Sequence, residues 1–323
     1  MFMIVAPIFM VIFIGYGFGH LRPDDQSSDK LINNYVLYVA LPALLFLAIA
    51  KADISELNQS GFIVATLAGI AAVYIAGTLI AKIMGFGMPQ SAILSMGASY
   101  GTTGYMGVPI LISVYGESAA LPAAIATILH NIPTIMAVIV TYDILSNRNV
   151  GDKASVSKSV LNAIKTTVTN PLTVAVIAGL VFVFLGIPVP DFLTSFASFL
   201  GGAAGPTALF ALGLGLARLN IRKHANREAL KLVVPMVILK LVIQPAITFA
   251  IAYYLFGMQK TDTIWPIAAI VMAAQPIGAG VYVFSNKYGF KQEVISLSII
   301  ISLLIALITI PVILSLFPVL GAE

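Results

Sequence analysis

The sequence predicts an all-α membrane protein of about ten spanning helices, arranged as two five-helix halves that lie in opposite orientations. Three observations predict it. Charged residues make up 9% of the 323-residue chain against 59% hydrophobic, with a mean hydropathy of +1.02. The basic residues gather in alternate loops. Proline- and glycine-bearing motifs recur about half a chain apart. A soluble domain carries roughly a quarter charged residues. A chain this poor in charge cannot cover its surface in water, so lipid is its main solvent.

A spanning helix needs about 20 mainly apolar residues. The stretches that qualify are 2–20, 31–50, 61–84, 91–115, 118–145, 171–188, 192–217, 232–257, 264–286 and 293–317, called helices 1 to 10 below. The opening Met1-Phe2-Met3-Ile4 has no basic run before its apolar core, so helix 1 reads as a retained span rather than a cleaved signal. Two connections are long and basic: 146–170, with Arg148, Lys153, Lys158 and Lys165, and 218–231, with Arg222, Lys223 and Arg227 between Arg218 and Lys231.

Cytoplasmic loops are enriched in Lys and Arg. With the N-terminus outside, the inner loops collect every basic residue except Lys51 and Lys260 outside and Lys240 within helix 8. Both termini then lie outside a cytoplasmic (inner) membrane. The chain divides into a first repeat at 1–145, a basic cytoplasmic connector at 146–170 and a second repeat at 171–323.

The repeat shows first in helices 2 and 7. Pro42-Ala43-Leu44-Leu45-Phe46 is echoed by Pro206-Thr207-Ala208-Leu209-Phe210. Helix 4 carries Tyr100-Gly101-Thr102-Thr103-Gly104-Tyr105-Met106-Gly107-Val108-Pro109, and helix 9 carries Gln275-Pro276-Ile277-Gly278-Ala279-Gly280 at a matching distance into its half. Five helices per repeat is an odd number, so the second half enters the membrane upside down. Inverted repeats of this kind build secondary transporters.

Helices 4 and 9 carry the chemistry. Gly101, Gly104 and Gly107 precede Pro109, and Pro276 precedes Gly278 and Gly280, so both helices are expected to break near the midplane. Freed backbone groups are tolerated in lipid only where they face protein or a water-filled cavity. The second half of a broken helix presents unpaired N–H groups and a partial positive charge, which suit an anion. The same glycines would also serve close helix packing, and the prolines a simple kink.

The segment from Thr102 to Pro109 resembles the Asn-Thr-Gly-Phe-Leu-Gly-Ile-Pro element of the auxin efflux carrier family. Tyr38-Val39-Ala40-Leu41-Pro42-Ala43-Leu44-Leu45-Phe46 and the stretch from Pro276 to Gly289 are similar to two further motifs of that family, and the resemblance covers essentially the whole chain. The short central loop is that of a prokaryotic member. The resemblance implies ten helices in inverted repeats, a scaffold of helices 1, 2, 6 and 7, and a mobile transport domain of helices 3–5 and 8–10. It implies an organic anion, such as malonate or an auxin-like acid, bound beside crossing helices 4 and 9. The fold it implies is also that of bile acid:sodium symporters, and a sodium-coupled carrier of that kind is the alternative. Two positions depart from the family pattern: its Asn is Thr102 in helix 4, and an Asn often found after the ninth-helix proline is Gly280.

The substrate-binding candidates are therefore Thr102, Thr103, Gly104, Tyr105, Gln275, Pro276, Gly278 and Gly280. Asn34 and Tyr38 join them from one face of helix 2, in line with Pro42, and His130 and Asn131 from mid-helix 5. Gly101, Gly107, Pro109 and Pro276 mark the helix breaks. Asp143, Lys240 and Gln244 are coupling or gating candidates: Lys240 could pair with Asp143, or snorkel its ammonium to the inner interface.

No cysteine is present, which excludes disulfides, thiolate metal sites and cysteine nucleophiles. No resident cofactor or metal is expected; a coupling H⁺ or Na⁺ is, with sodium held by backbone, Thr or Gln oxygens. The expected partners are the organic anion, the bilayer and a second copy through the scaffold helices, and nucleic acid is not among them. Gly97-Ala98-Ser99-Tyr100-Gly101 matches the Gly-x-Ser-x-Gly pattern of hydrolases, with His130 as a base. That motif needs a strand–turn–helix setting which an all-helical chain lacks, so the sequence predicts a carrier rather than an enzyme.

Overall fold

Prolines shape these helices as much as hydrophobicity does. The computed structural model describes residues 2–22, 26–146, 161, 164–165, 168–217, 227–258 and 264–317. Helices occupy every range read above as a span: α1 (Phe2–Leu21), α2 (26–50), α3 (Ser60–Ile83), α4a (Met88–Ser99), α4b (Thr103–Tyr115), α5 (Ala120–Ser146), α6 (Pro171–Leu185), α7 (Asp191–Ala217), α8 (227–255), α9a (Trp265–Ala273), α9b (Gly280–Lys287) and α10 (Gln292–Ser315). Among the described residues no strand occurs, and the β-type contact is a single antiparallel bridge between Gly101 and Ile277. Among the described residues six helices are long and apolar enough to cross a membrane: Asp29–Ala50, Ile54–Ile83, Glu117–Tyr142, Asp191–Ala217, Ala229–Leu255 and Gln292–Ser315. The ranges 91–115 and 264–286 fall short as single helices because each is interrupted.

Three wide π turns, Val36–Ala40, Thr103–Gly107 and Leu239–Ile243, run directly into Leu41-Pro42, Val108-Pro109 and Gln244-Pro245. A proline offers no N–H and its ring crowds the carbonyl four residues back. The turn before it widens to a five-residue bond instead, as in Leu41 N–H to Val36 O, Val108 N–H to Thr103 O and Gln244 N–H to Leu239 O. Such bulges keep a helix continuous while rotating the side chains that follow.

Packing follows small residues. Residue α1 Gly15 lies so near the Phe210 carbonyl of α7 that a Cβ would overlap it, and Gly213 of α7 approaches Ile12 O and Tyr16 N of α1 in the same way. Gly179 of α6 lets Phe46 O and Ile49 of α2 within 3.0 Å of where its Cβ would be. Gly201 of α7 does the same for Leu44 of α2. In lipid, helices gain little from the hydrophobic effect and associate through close van der Waals contact, which small residues permit. Helices α1, α2, α6 and α7 are joined by these approaches. On the other side α3 packs on α4a and α8, and a Cβ on Gly77 of α3 would lie 3.0 Å from Ser95 Cα. Phe62 and Trp265 meet edge to face at 5.0 Å, tying α3 to α9a.

Candidate substrate site at the paired helix breaks

Helix α4a ends at Ser99, and Tyr100 turns extended with φ −87° and ψ 113°. Helix α4b begins at Thr103, leaving 100–102 outside regular structure. Helix α9a ends at Ala273 and α9b begins at Gly280. The two interruptions bond to each other: Thr102 N–H donates to Pro276 O at 2.9 Å, and Gly278 N–H donates to Tyr100 O at 3.0 Å. Ile277 N–H donates to Ser302 Oγ of α10 at 3.0 Å. An isolated break would strand these groups in an apolar surround, each at a cost of about 1–3 kcal/mol. Pairing the breaks removes most of that penalty, so each interruption stabilises the other.

The glycines are explained by contact. A Cβ on Gly278 would lie 2.7 Å from the Tyr100 ring and 3.0 Å from Gly101 O. One on Gly280 would lie 2.9 to 3.0 Å from the same ring and its hydroxyl, so Tyr100 fills the space a side chain at 280 would need. One on Gly101 would meet Lys240 Cε and Nζ at 3.1 Å, and one on Gly107 would crowd Met272 Sδ and Gln275 Cγ. Close packing and a broken helix therefore coexist at these glycines. Gly104 is looser: Leu41 of α2, Thr127 of α5 and Leu172 of α6 lie 3.7 to 4.0 Å from its Cβ position.

Around the breaks several polar atoms are buried without a partner among the described residues: Thr103 Oγ1, Gln275 Oε1 and Gln244 Nε2. Gln275 Nε2 donates to Val271 O at 2.9 Å. Thr102 is half-buried, Pro276 is buried, and the half-buried Tyr105 donates its hydroxyl to Asn33 O of α2 at 3.4 Å. The contact from α2 thus comes from the Asn33 backbone, whereas the Asn34 and Tyr38 side chains are exposed.

Lys240 does not snorkel. Its side chain is fully buried, and Nζ donates to Gln244 Oε1 at 2.7 Å and to Ala273 O at 2.6 Å. The Asp143 side chain, its other expected partner, lies outside the described residues.

Two cavities lie among the helices that carry the breaks, and neither has a residue of 100–102 or 274–279 on its walls. One of about 780 Å³ is lined by Pro109 and Ile112 of α4b, Leu44 of α2, Gly205 and Pro206 of α7, and Trp265 at the start of α9a, with Lys51, Glu56 and Glu117 also on its walls. A second of about 170 Å³ has Asn131, Asn170, Thr173 and Phe284, the last from α9b. Pro109 and Pro206 share the larger one.

His130 is fully buried, with Nδ1 on Ala126 O at 2.9 Å and Nε2 lacking a described partner. Ser99 donates to Ser95 O at 2.9 Å. The serine hydroxyl is thus committed to its own helix and the histidine to another, rather than to each other as nucleophile and base would be. Ser99→Ala is expected to leave transport within about twofold of wild type, since it removes only a local back-bond; labelled-anion uptake into proteoliposomes checks this.

The family model for membrane transport proteins matches residues 1–314. The chain belongs to the auxin efflux carrier family of membrane transport proteins. It is 29% identical over 317 residues to a Rhizobium meliloti (strain 1021) protein named "Putative malonate transporter", covering 95% of this chain and 92% of that one. It is 24% identical to an uncharacterized transporter of Methanocaldococcus jannaschii, over 95% of this chain and 96% of the other. It is also 29% identical over 170 residues to auxin efflux carrier component 8 of Arabidopsis thaliana, covering 51% of this chain and 43% of the carrier. The family and the names of these relatives make the chain a multi-pass membrane transporter and not an enzyme. Among carriers of this family, Gly280 is the departure with a visible cause, because the Tyr100 ring lies over it.

Tyr100, Ser302 and Asn33 are site residues that sequence reasoning did not single out. Tyr100 could have been found, as a large aromatic directly before the first glycine of the break. Ser302 and the Asn33 carbonyl carry no local signal, because each acts through a contact between distant segments.

Proposed function

We propose that this chain is a secondary active transporter of a small organic anion, a mono- or dicarboxylate such as malonate or an auxin-like acid, working by alternating access in the cytoplasmic membrane. The single observation that carries this reading is the antiparallel pairing of the two helix breaks. Helices broken at corresponding places in the two halves and bonded together are what inverted repeats bring to a shared binding site. The opening turn of α4b presents N–H groups that helical geometry leaves without partners, whereas Val281 and Tyr282 N–H of α9b already donate to Gly278 O and Ala279 O; an anion is the ligand an open helix start favours. Thr103 Oγ1 and Gln244 Nε2 add unpaired donors. The name of the Rhizobium meliloti relative directs the substrate toward dicarboxylates.

In this reading the chain forms ten spans in two inverted repeats, and the paired breaks lie at the midplane. Helices α1, α2, α6 and α7 form the scaffold, supported by their mutual glycine contacts. The elements α3–α5 and α8–α10 carry the site past it in an elevator-like movement. Gly104, with only loose contact to Leu41 and Leu172, lies where the two bodies slide. With both termini outside, the orientation that the basic residues favour, the larger cavity faces outward and is the entry toward the site.

A thermal-shift screen on detergent-solubilised protein tests the substrate class. Ligand at about 100 times its Kd stabilises the folded state by about 2.7 kcal/mol. A saturable rise in unfolding temperature is expected with malonate or a related carboxylate, and none with malonamide, which keeps the shape and loses the charge. If no carboxylate in the series moves the transition, and none drives counterflow in proteoliposomes, the anion reading fails.

A further inference from the structure

Breaking two helices creates electronegative ends as well as electropositive ones. In the last turn of α9a the carbonyls of Ile270, Val271 and Met272 accept from Ala274 and Gln275, while Ala273 O accepts from a buried side chain beside the break, and a helix C-terminus favours a cation. Carriers with broken helices use such ends to hold a coupling sodium ion. Here the oxygens that converge beside the end of α9a are Ala273 O and Gln244 Oε1, and Lys240 Nζ bonds both, at 2.6 and 2.7 Å. These lengths are at the short end of the range, as a charged donor gives.

The position is built by the fold. Lys240 sits in the π turn Leu239–Ile243 that Pro245 imposes, and Gln244 closes that turn with its N–H on Leu239 O. Opposite, Gly101 of the α4 break lies against the ammonium, with Nζ and Cε 3.1 Å from where its Cβ would be. Among the described residues no carboxylate is buried, and no group of three metal-ligating side chains occurs. A fully buried lysine therefore stands at the junction of both breaks, with a helix end and an amide as its counter-dipoles.

We propose that the Lys240 ammonium is a tethered counter-cation, occupying the place at the end of α9a that a coupling sodium ion would take, so that anion transport needs Lys240 and does not need sodium. The inference rests on the carrier reading above and narrows its coupling. The positive charge travels with the site, offsetting one negative charge of the bound anion.

The test has a transport arm and a substrate-free arm. At fixed pH, ionic strength and membrane potential, wild-type malonate uptake into proteoliposomes is expected to agree within about twofold in sodium, potassium and choline media, since no sodium is bound. A loss of about tenfold in choline overturns the proposal. Lys240→Met keeps the four-atom stem and removes the ammonium, and should lose about tenfold or more of its uptake in choline; wild-type uptake by this variant overturns the proposal. Lys240→Gln, which retains a donor, serves if Lys240→Met does not fold.

In the substrate-free arm the unfolding temperature is followed against sodium chloride, methylammonium chloride and choline chloride. Wild type should show no sodium-specific rise, and the variant should gain a saturable rise with sodium or methylammonium, which fill the vacated place. A sodium-specific rise in wild type, or no cation-specific rise in the variant, overturns the proposal. Because this arm uses no substrate, a protein that moves no carboxylate would defeat the carrier reading alone and leave the cation result standing.

Discussion

Replacing Pro276 by alanine is expected to reduce transport by about tenfold or more while the protein still inserts and extracts as a folded species. Pro276 lacks the N–H that would let α9a run on, and its carbonyl accepts the Thr102 N–H at 2.9 Å. Alanine restores the donor, so the chain can continue the i to i−4 ladder and turn that carbonyl away from Thr102. Losing the two inter-break bonds costs about 1 kcal/mol each, and a change of about 1.4 kcal/mol in a barrier is tenfold in rate. The matching substitution in the other half is Gly104→Leu. Ordinary contacts surround its Cβ position at 3.7 to 4.0 Å, so alanine is accommodated there and leucine is driven into Leu41, Thr127 and Leu172. Gly104→Ala is expected within about twofold of wild type and Gly104→Leu at least about tenfold down. Uptake of labelled malonate into proteoliposomes, with size-exclusion profiles as the folding control, measures both. Wild-type transport in Pro276→Ala and in Gly104→Leu together would remove the paired breaks from the mechanism.

The second large effect concerns folding rather than transport. Gly213→Leu is expected to destabilise the protein by about 3 kcal/mol or more and to yield little monodisperse material. A Cβ at 213 would overlap the α1 backbone at Ile12 O and come within 2.8 Å of Tyr16 N. Backbone cannot yield as a side-chain tip can, and overpacking of this kind typically costs about 1–3 kcal/mol even where side chains can move. Gly215, two residues on in the same helix, has nothing within 4 Å of its Cβ position. Gly215→Leu is therefore expected to express and melt like wild type. Unfolding temperature and extraction yield, compared for this pair, separate a packing requirement from helix propensity, which both substitutions improve alike. Equal behaviour of the two variants would contradict the α1–α7 contact.

The helix breaks were legible as local chemistry. Pro276 lies within the interruption at 274–279, whereas helix 4 is interrupted at 100–102, and Gly107 and Pro109 lie inside α4b rather than at the break. The form that the chain takes before Pro42, Pro109 and Pro245 did not follow from sequence alone. Each is preceded by a π turn that keeps its helix continuous, its five-residue bond bypassing one carbonyl of the ladder. Asn34 and Tyr38 show the opposite failing. Their spacing placed them on one helix face with Pro42, yet it is the Asn33 carbonyl that meets Tyr105. Helical period says which side chains share a face, and not which face turns toward a neighbour.

Lys240 marks the boundary between the two kinds of knowledge. The sequence by itself determined that a charged residue lies inside an apolar helix, that the chain lives in lipid, and that prolines and glycines cluster in the segments 100–109 and 275–280. Only the tertiary structure decided where that charge goes. Reaching the interface and turning inward are both open to a long flexible side chain. The choice fell to a helix end and an amide oxygen, supplied by the α9 break and by the turn that Pro245 widens. Hydrophobic patterning is a property of each segment taken alone. The pairing of Gly101 with Ile277, and of Lys240 with Ala273, exists only once segments far apart in the chain have packed, because each supplies the partner the other lacks.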